Sequence, residues 1–226
     1  MAVSTLGRVY LSMDGGASWG SDVLRTARPR ALRGVAVGTA AATAVAVAVG
    51  ANNSIWAANA TSGFAAWTFV ATAATKNVNF NGVGTYNGGQ FIAVGDGGAI
   101  AIAAPSSTGS SWVWTRRTYQ VGATAPALSC VSHGNAAVAY VGGTGGTLIK
   151  TSDGGLTWIS LLVVSATGSG SLAAVLGLGA GGATWGPAGT DGFRFHSVSA
   201  LSPSVGASPL PPPCFILLNG HAAASA

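Results

Sequence analysis

The chain of 226 residues is long enough for one well-filled core, carries a net charge of +5, and is 49% hydrophobic, largely through Ala and Val. Charged residues make up only 7% and Glu is absent, where an average globular domain is about 25% charged. Long solvated helices are thereby excluded, and 35 Gly spread at short intervals point to many short strands joined by tight turns.

Residues 1–6 lack a basic start followed by an apolar segment, so no secretory signal is expected. Val9-Tyr10-Leu11 then leads into Ser12-Met13-Asp14-Gly15-Gly16-Ala17-Ser18-Trp19. This reads as strand, tight turn, strand. Asp14 can accept the turn's own N–H groups, Gly15 and Gly16 permit positive φ, and Trp19 is expected to anchor the returning strand in a core. The same design recurs at Thr151-Ser152-Asp153-Gly154-Gly155-Leu156-Thr157-Trp158, behind Thr147-Leu148-Ile149-Lys150.

Between and beyond these copies the chain divides into units of four strands. The first complete unit is predicted at residues 32–37, 44–50, 54–58 and 67–70, the second at 78–83, 90–95, 99–103 and 112–115, and the third at 128–131, 137–142, 147–150 and 158–160. The aromatics Trp19, Trp67, Trp114 and Trp158 recur at spacings of 48, 47 and 44 residues, the period of a four-stranded propeller blade. A fourth unit is compressed, with strands predicted at 161–164, 171–178, 183–185 and 193–195. The fifth is split: residues 195–201 and 214–220 supply two strands, and the N-terminal residues 7–11 with Trp19 supply the others, which would close the ring and remove its open edge.

The expected fold is therefore all-β, a single small β-propeller over residues 1–226 with five four-stranded blades closed by N- and C-terminal strands; four or six blades stay open if the compressed unit is misregistered. Residues 202–213 form a Pro-rich connector, either a rigid loop or an extended arm, and 221–226 a flexible tail. The apolar run at 34–50 alternates Ala and Val, which fits a strand with small residues on one face better than a membrane span.

The pattern Ser-x-Asp-x-Gly-x-Thr-Trp resembles the Asp-box, or BNR, repeat of sialidases, sortilin-type receptors and photosystem assembly factors. Residues 59–67 and 188–193 carry eroded copies. The resemblance implies a propeller and no single activity, since propellers of this kind do unrelated work. Sialidase chemistry, as the resemblance would have it, uses a Tyr nucleophile with a Glu, an Asp acid/base and three Arg around a carboxylate. A chain without Glu, and without one inner-strand Arg in each successive unit, does not meet that requirement.

Glycoside hydrolysis by paired carboxylates is also short of residues. Asp14 and Asp153 belong to turns, Asp96 to a hairpin and Asp191 to an eroded box, leaving Asp22. His133, His196 and His221 show no metal-ligand spacing, and Gly177–Gly182 is a hairpin, not a dinucleotide loop, because a Trp-Gly-Pro stretch follows it. No catalytic residue, metal or cofactor is expected.

The charge distribution is more informative. Arg25, Arg28, Arg30, Arg33, Lys76, Arg116 and Arg117 all fall in or beside predicted connectors between units, so they are expected to share one face, away from the Asp-box turns. That face could serve solubility or dock an anionic partner. Nucleic acid is disfavoured because no aromatic residues interleave the Arg run, whereas a glycan stays open as a partner. The leading expectation is a non-catalytic structural or adhesion module, present in multiple copies in an assembly such as a bacteriophage tail or other virion component. The alternative is an assembly factor or ligand-binding propeller, exported or at the cell surface, that docks an anionic client through the basic face.

Overall fold

A computed structural model of the chain describes residues 1–20, 30–40, 43–86, 89–105, 112–120, 123, 125–133, 137–144 and 147–161, together with the backbone strands at 175–178, 193–200 and 214–222. The described strands are all antiparallel and form five sheets. At the N-terminus β1 (Ala2–Val3) pairs with β2 (Val9–Tyr10), and an isolated bridge joins Leu11 to Gly20 across the first Asp-box turn. Three four-stranded meanders follow. The first is β3 (Leu32–Ala40), β4 (Thr43–Gly50), β5 (Ser54–Asn59) and β6 (Thr68–Phe69). The second is β7 (Phe80–Tyr86), β8 (Gln90–Gly95), β9 (Ala99–Pro105) and β10 (Trp112–Thr118). The third is β11 (Leu128–His133), β12 (Ala139–Gly143), β13 (Leu148–Thr151) and β14 (Ile159–Ser160). A last sheet sets β15 (Val175–Leu178) and β16 (Phe193–Ala200) on either side of β17 (Cys214–Ala222).

The first strands of the meanders lie beside one another, β3 next to β7, β7 next to β11, and β11 next to β16, as the inner strands of propeller blades do. Close approach here depends on small residues. A Cβ on Gly82 would sit 2.6 Å from the backbone oxygen of Ser129 in the next inner strand, so only Gly fits there. Each inner strand also slips its register at one point, at Arg33, Asn81, Ser129 and His196. These bulges bend the strand and turn one polar residue per sheet out of the ladder.

Packing between sheets explains why the middle strands carry apolar residues on both faces. In β8, Phe91 and Ala93 join the core shared with Val47, Val49 and Ile55 of the first sheet. Ile92 and Val94 join the core shared with Val141 and Ile149 of the third. Two buried faces replace the half-polar alternation of a surface sheet. The Ala/Val alternation of β4 follows the same logic, with Val47 and Val49 facing the second sheet and Ala48 packed with Val9 and Leu32 beside the N-terminal strands. Among the described residues no helix is long and apolar enough to cross a membrane.

Four expectations need correction. Trp19 is 50% exposed and does not anchor a core. The N-terminal strand does not pair with the C-terminal one: Val9–Tyr10 takes Ala2–Val3 as its partner, while the second edge of β17 is filled by Val175–Leu178. Phe193–Ala200 is one continuous strand, so 193–195 is not the outer strand of a separate unit, and β17 carries His221 and Ala222 into the ladder, shortening the expected tail. The Pro-rich connector at 202–213 and residues 183–185 lie outside the described residues.

Candidate functional site

The two Asp-box turns match bond for bond. Ser18 donates to Asp14 through its N–H (2.9 Å) and its hydroxyl, and Ser12 Oγ donates to Asp14 Oδ1 (2.8 Å) while accepting the Gly16 N–H (2.7 Å). In the second box Thr157 donates to Asp153 through its N–H (2.9 Å) and hydroxyl, and Thr151 Oγ1 donates to Asp153 Oδ1 (2.8 Å) and accepts the Gly155 N–H (2.8 Å). These bonds favour the ionised carboxylate. The Thr157 hydroxyl and N–H hold Asp153 at about 2, and Ser18 likewise holds Asp14 well below its ordinary value. Carboxylates so held cannot trade protons at neutral pH. In the eroded copy Asn59 Oδ1 substitutes, accepting from Thr61 Oγ1 (2.7 Å) and the Ser62 N–H (3.1 Å).

On the opposite ends of the strands, the connectors between sheets interlock with the turns between second and third strands. Ala51 N–H donates to Ala31 O (2.8 Å) and Asn53 N–H to Val78 O (2.7 Å); one sheet on, Asp96 N–H donates to Asn79 O (3.0 Å) and Gly98 N–H to Pro126 O (2.7 Å). Between the first two sheets these segments enclose a cleft of about 500 Å³ lined by Arg30, Asn52, Asn53, Lys76, Asn77 and Asn79. Among the described residues no carboxylate lines it.

The cleft walls are fixed by local backbone chemistry. Asn52 and Asn53 both have positive φ, 52° and 60°, and Ser54 N–H closes the turn onto Ala51 O at 3.2 Å, the I′ geometry that Asn tolerates best after Gly. Asn77 is also left-handed, at φ 62°, after a 3₁₀ turn over Ala73–Thr75. Asn52 N–H donates to Asn79 Oδ1 (2.9 Å), and Asn79 Nδ2 donates to Asp96 Oδ2 (3.1 Å). The other oxygen of Asp96 accepts from Asn81 Nδ2 (2.8 Å), which also donates to Leu128 O (2.9 Å). Asp96 is thus spoken for by two Asn amides, and the network runs from the first sheet to the third.

Among the expected basic residues, the structure brings Arg30 and Lys76 into the cleft, with Arg116 beside it, its Nη1 3.5 Å from Lys76 O. Arg30 donates one guanidinium N–H to Asn52 O, and Arg33 donates one to Asn81 Oδ1 at the bulge of the second inner strand. Arg117 follows Arg116 on β10, where alternation turns it to the other face of the strand. Arg25 and Arg28 lie outside the described residues, as do Asp22 and Asp191. The four Asn of the cleft were not anticipated. Asn52-Asn53 between two apolar runs was the available signal, since it is a turn pair whose amides also remain free to face a ligand.

No group of three or more His, Cys, Asp or Glu suited to a metal ion occurs among the described residues. Cys130 is buried, its thiol pushed up to about 12 by desolvation, and it donates to Gly142 O at 3.9 Å.

No protein-family model and no curated protein matches the sequence. Solved structures do match. YCF48 from Cyanidioschyzon merolae superposes with a TM-score of 0.53 at 14% identity over 88% of this chain and 57% of that one. A structure of YCF48 bound to D1 peptide gives a TM-score of 0.48 at 19% identity over 70% of this chain and 48% of that one. The chain therefore spans about half the length of the solved structures it matches. At this identity the likeness is one of fold: an all-β arrangement of four-stranded antiparallel sheets like that of the YCF48 propeller.

Proposed function

We propose that the chain is a non-catalytic protein-binding propeller that docks an anionic segment of a client protein through the face bearing Arg30, Lys76 and Arg116. The observation that carries this reading is the cleft between the first two sheets, which among the described residues gathers Arg30 and Lys76 with four Asn and no carboxylate, in a chain that is only 7% charged. Concentrating cations at one concave spot on a sparsely charged surface steers and orients an acidic partner. The two Asp-box carboxylates lie in turns and are held ionised, which leaves them a structural task.

Five sheets among the described strands support a five-bladed ring, with the N-terminal and C-terminal sheets as the blades that meet. The fold-level likeness to YCF48, together with the Asp-box resemblance to photosystem assembly factors, favours client docking. The virion reading draws on composition alone, the absence of Glu and the low charge, and mass spectrometry of purified particles is its test.

The docking reading is tested by affinity purification from the native source with wild type and an Arg30→Gln/Lys76→Gln/Arg116→Gln variant, each at low and high salt. The expected result is a client retained by wild type, released by salt and lost from the variant while its circular dichroism is unchanged. Equal recovery by both proteins at both salts would sink the reading.

A further inference from the structure

We propose that the outer edge of β10 is a docking edge for an extended acidic segment of the client, which adds to the second sheet as a further strand, antiparallel to β10. This rests on the client-docking reading, because β10 carries Arg116, and it names the form in which the client binds. The sheet order leaves β10 outermost, paired with β9 on one edge and with no described strand on the other. The outer strands of the first and third sheets, β6 and β14, are two residues long, too short to recruit a partner strand. β10 is seven residues long and stays in register with β9 throughout, without a bulge to twist its edge away.

The groups on that edge follow from the ladder. Tyr119 N–H donates to Gly98 O (2.8 Å), a hydrogen-bonded pair that continues the β9–β10 register. Antiparallel pairs alternate, so Arg117 and Thr115 bond to β9, while the N–H and C=O of Arg116 and Thr118 point away from it. Both of these residues are exposed. Side chains alternate as well: Val113, 60% exposed, lines one face of the strand with Thr115 and Arg117, and Arg116 lies on the other. A second copy pairing β10 with β10 across these groups would set the two Arg of one chain against the two of the other, which like-charge repulsion opposes. An acidic segment meets the same two guanidinium groups with opposite charge, and Arg116 spends one N–H on Lys76 O, leaving further donors of its fork. The fitting segment therefore carries acidic residues opposite Arg117 and Arg116 and an apolar residue opposite Val113.

The test is a titration of the full-length ¹⁵N-labelled chain with a blocked Ser-Asp-Glu-Thr-Thr-Val-Ser peptide, its Asn/Gln counterpart, and two forms N-methylated at the Asp or at the Glu. In the proposed register the Glu N–H donates to Arg116 O and the Asp N–H points away from β10. Binding is expected to slow amide exchange at Arg116 and Thr118. Methylation at the Glu should weaken the peptide by about threefold to tenfold, the worth of one hydrogen bond, and methylation at the Asp by less than about twofold. The Asn/Gln peptide should bind at least about tenfold more weakly than the acidic one, the worth of one charge-assisted hydrogen bond. Equal weakening by the two methylations, unchanged exchange at Arg116 and Thr118, or equal binding of the acidic and neutral peptides would each overturn the assignment. If the acidic peptide leaves these amides unprotected while the Arg30/Lys76/Arg116 triple variant still loses its client, docking stands and strand addition falls; if the peptide adds to β10 while client recovery ignores that variant, the reverse holds.

Discussion

At the residue scale, the Asp-box turns tie hydroxyls and N–H groups to an ionised carboxylate, and this makes stability depend on acid. Asp titrates near about 3.9 in an unfolded chain, and Asp153 is held at about 2 in the fold. A depressed folded value means that the contribution is fully present above about pH 4 and is lost as pH falls through about 2. Melting temperature followed against pH should therefore show Asp153→Asn less stable than wild type at pH 7, with the gap narrowing below about pH 4; a gap independent of pH would detach the turn from the carboxylate's charge. Gly155 has φ +80°, and a Cβ there would meet Ile102 Cδ1 at 2.3 Å. Ile102 can turn its terminal methyl aside, but the φ of +80° stays strained for any Cβ, so Gly155→Ala should cost more than about 1 kcal/mol in denaturant unfolding. The serines, threonines and paired glycines of these turns were readable in the sequence because all their partners lie within four residues of one another.

At the element scale, four tryptophans recur with a blade period but do not share one environment. Trp114 is 3% exposed within the core between the first two sheets, Trp67 and Trp158 are partly buried, and Trp19 is half exposed. Trp114→Ala should cost about 3–5 kcal/mol, and Trp19→Ala well under half of that, as judged by chemical denaturation; equal costs would contradict the packing. Spacing identified the repeat, but burial depends on the sheet next door, which spacing does not report. The inner strands carry a second repeat. Leu32-Arg33-Gly34-Val35, Phe80-Asn81-Gly82-Val83, Leu128-Ser129-Cys130-Val131 and Phe195-His196-Ser197-Val198 align at their bulges. The polar second residue of Arg33 and Asn81 reaches toward the following sheet, Arg33 to Asn81 and Asn81 to Leu128 O. Gly82→Ala would drive a Cβ into the Ser129 backbone, which has no rotamer to yield, and should lower the melting temperature more than Gly97→Ala, which meets nothing within 4 Å and carries only the strain of its φ of +62°.

At the scale of the whole molecule, the order of three complete sheets was legible because each strand is a short apolar run ended by Gly or a turn. The joining of the chain ends was not, since pairing between distant strands rests on which edge is already occupied, and Val175–Leu178 occupies the edge that had been given to the N-terminus. The basic face was half legible. Charge and connector position drew attention to Arg30, Lys76 and Arg116, while the Asn that shape the cleft are uncharged and read as turn residues. Lysine provides the most direct probe of the account, because the chain's lysines are Lys76, in the cleft, and Lys150, in the third sheet with its ammonium 5.8 Å from the ring centre of its strand partner Tyr140. Carbodiimide coupling in the native mixture joins a client carboxylate to a neighbouring amine through an amide, and mass spectrometry identifies the lysine. The account predicts client peptides joined at Lys76 through Asp or Glu, with a yield that falls as salt rises. Coupling spread equally over Lys76 and Lys150, or confined to Lys150, would contradict docking through this face.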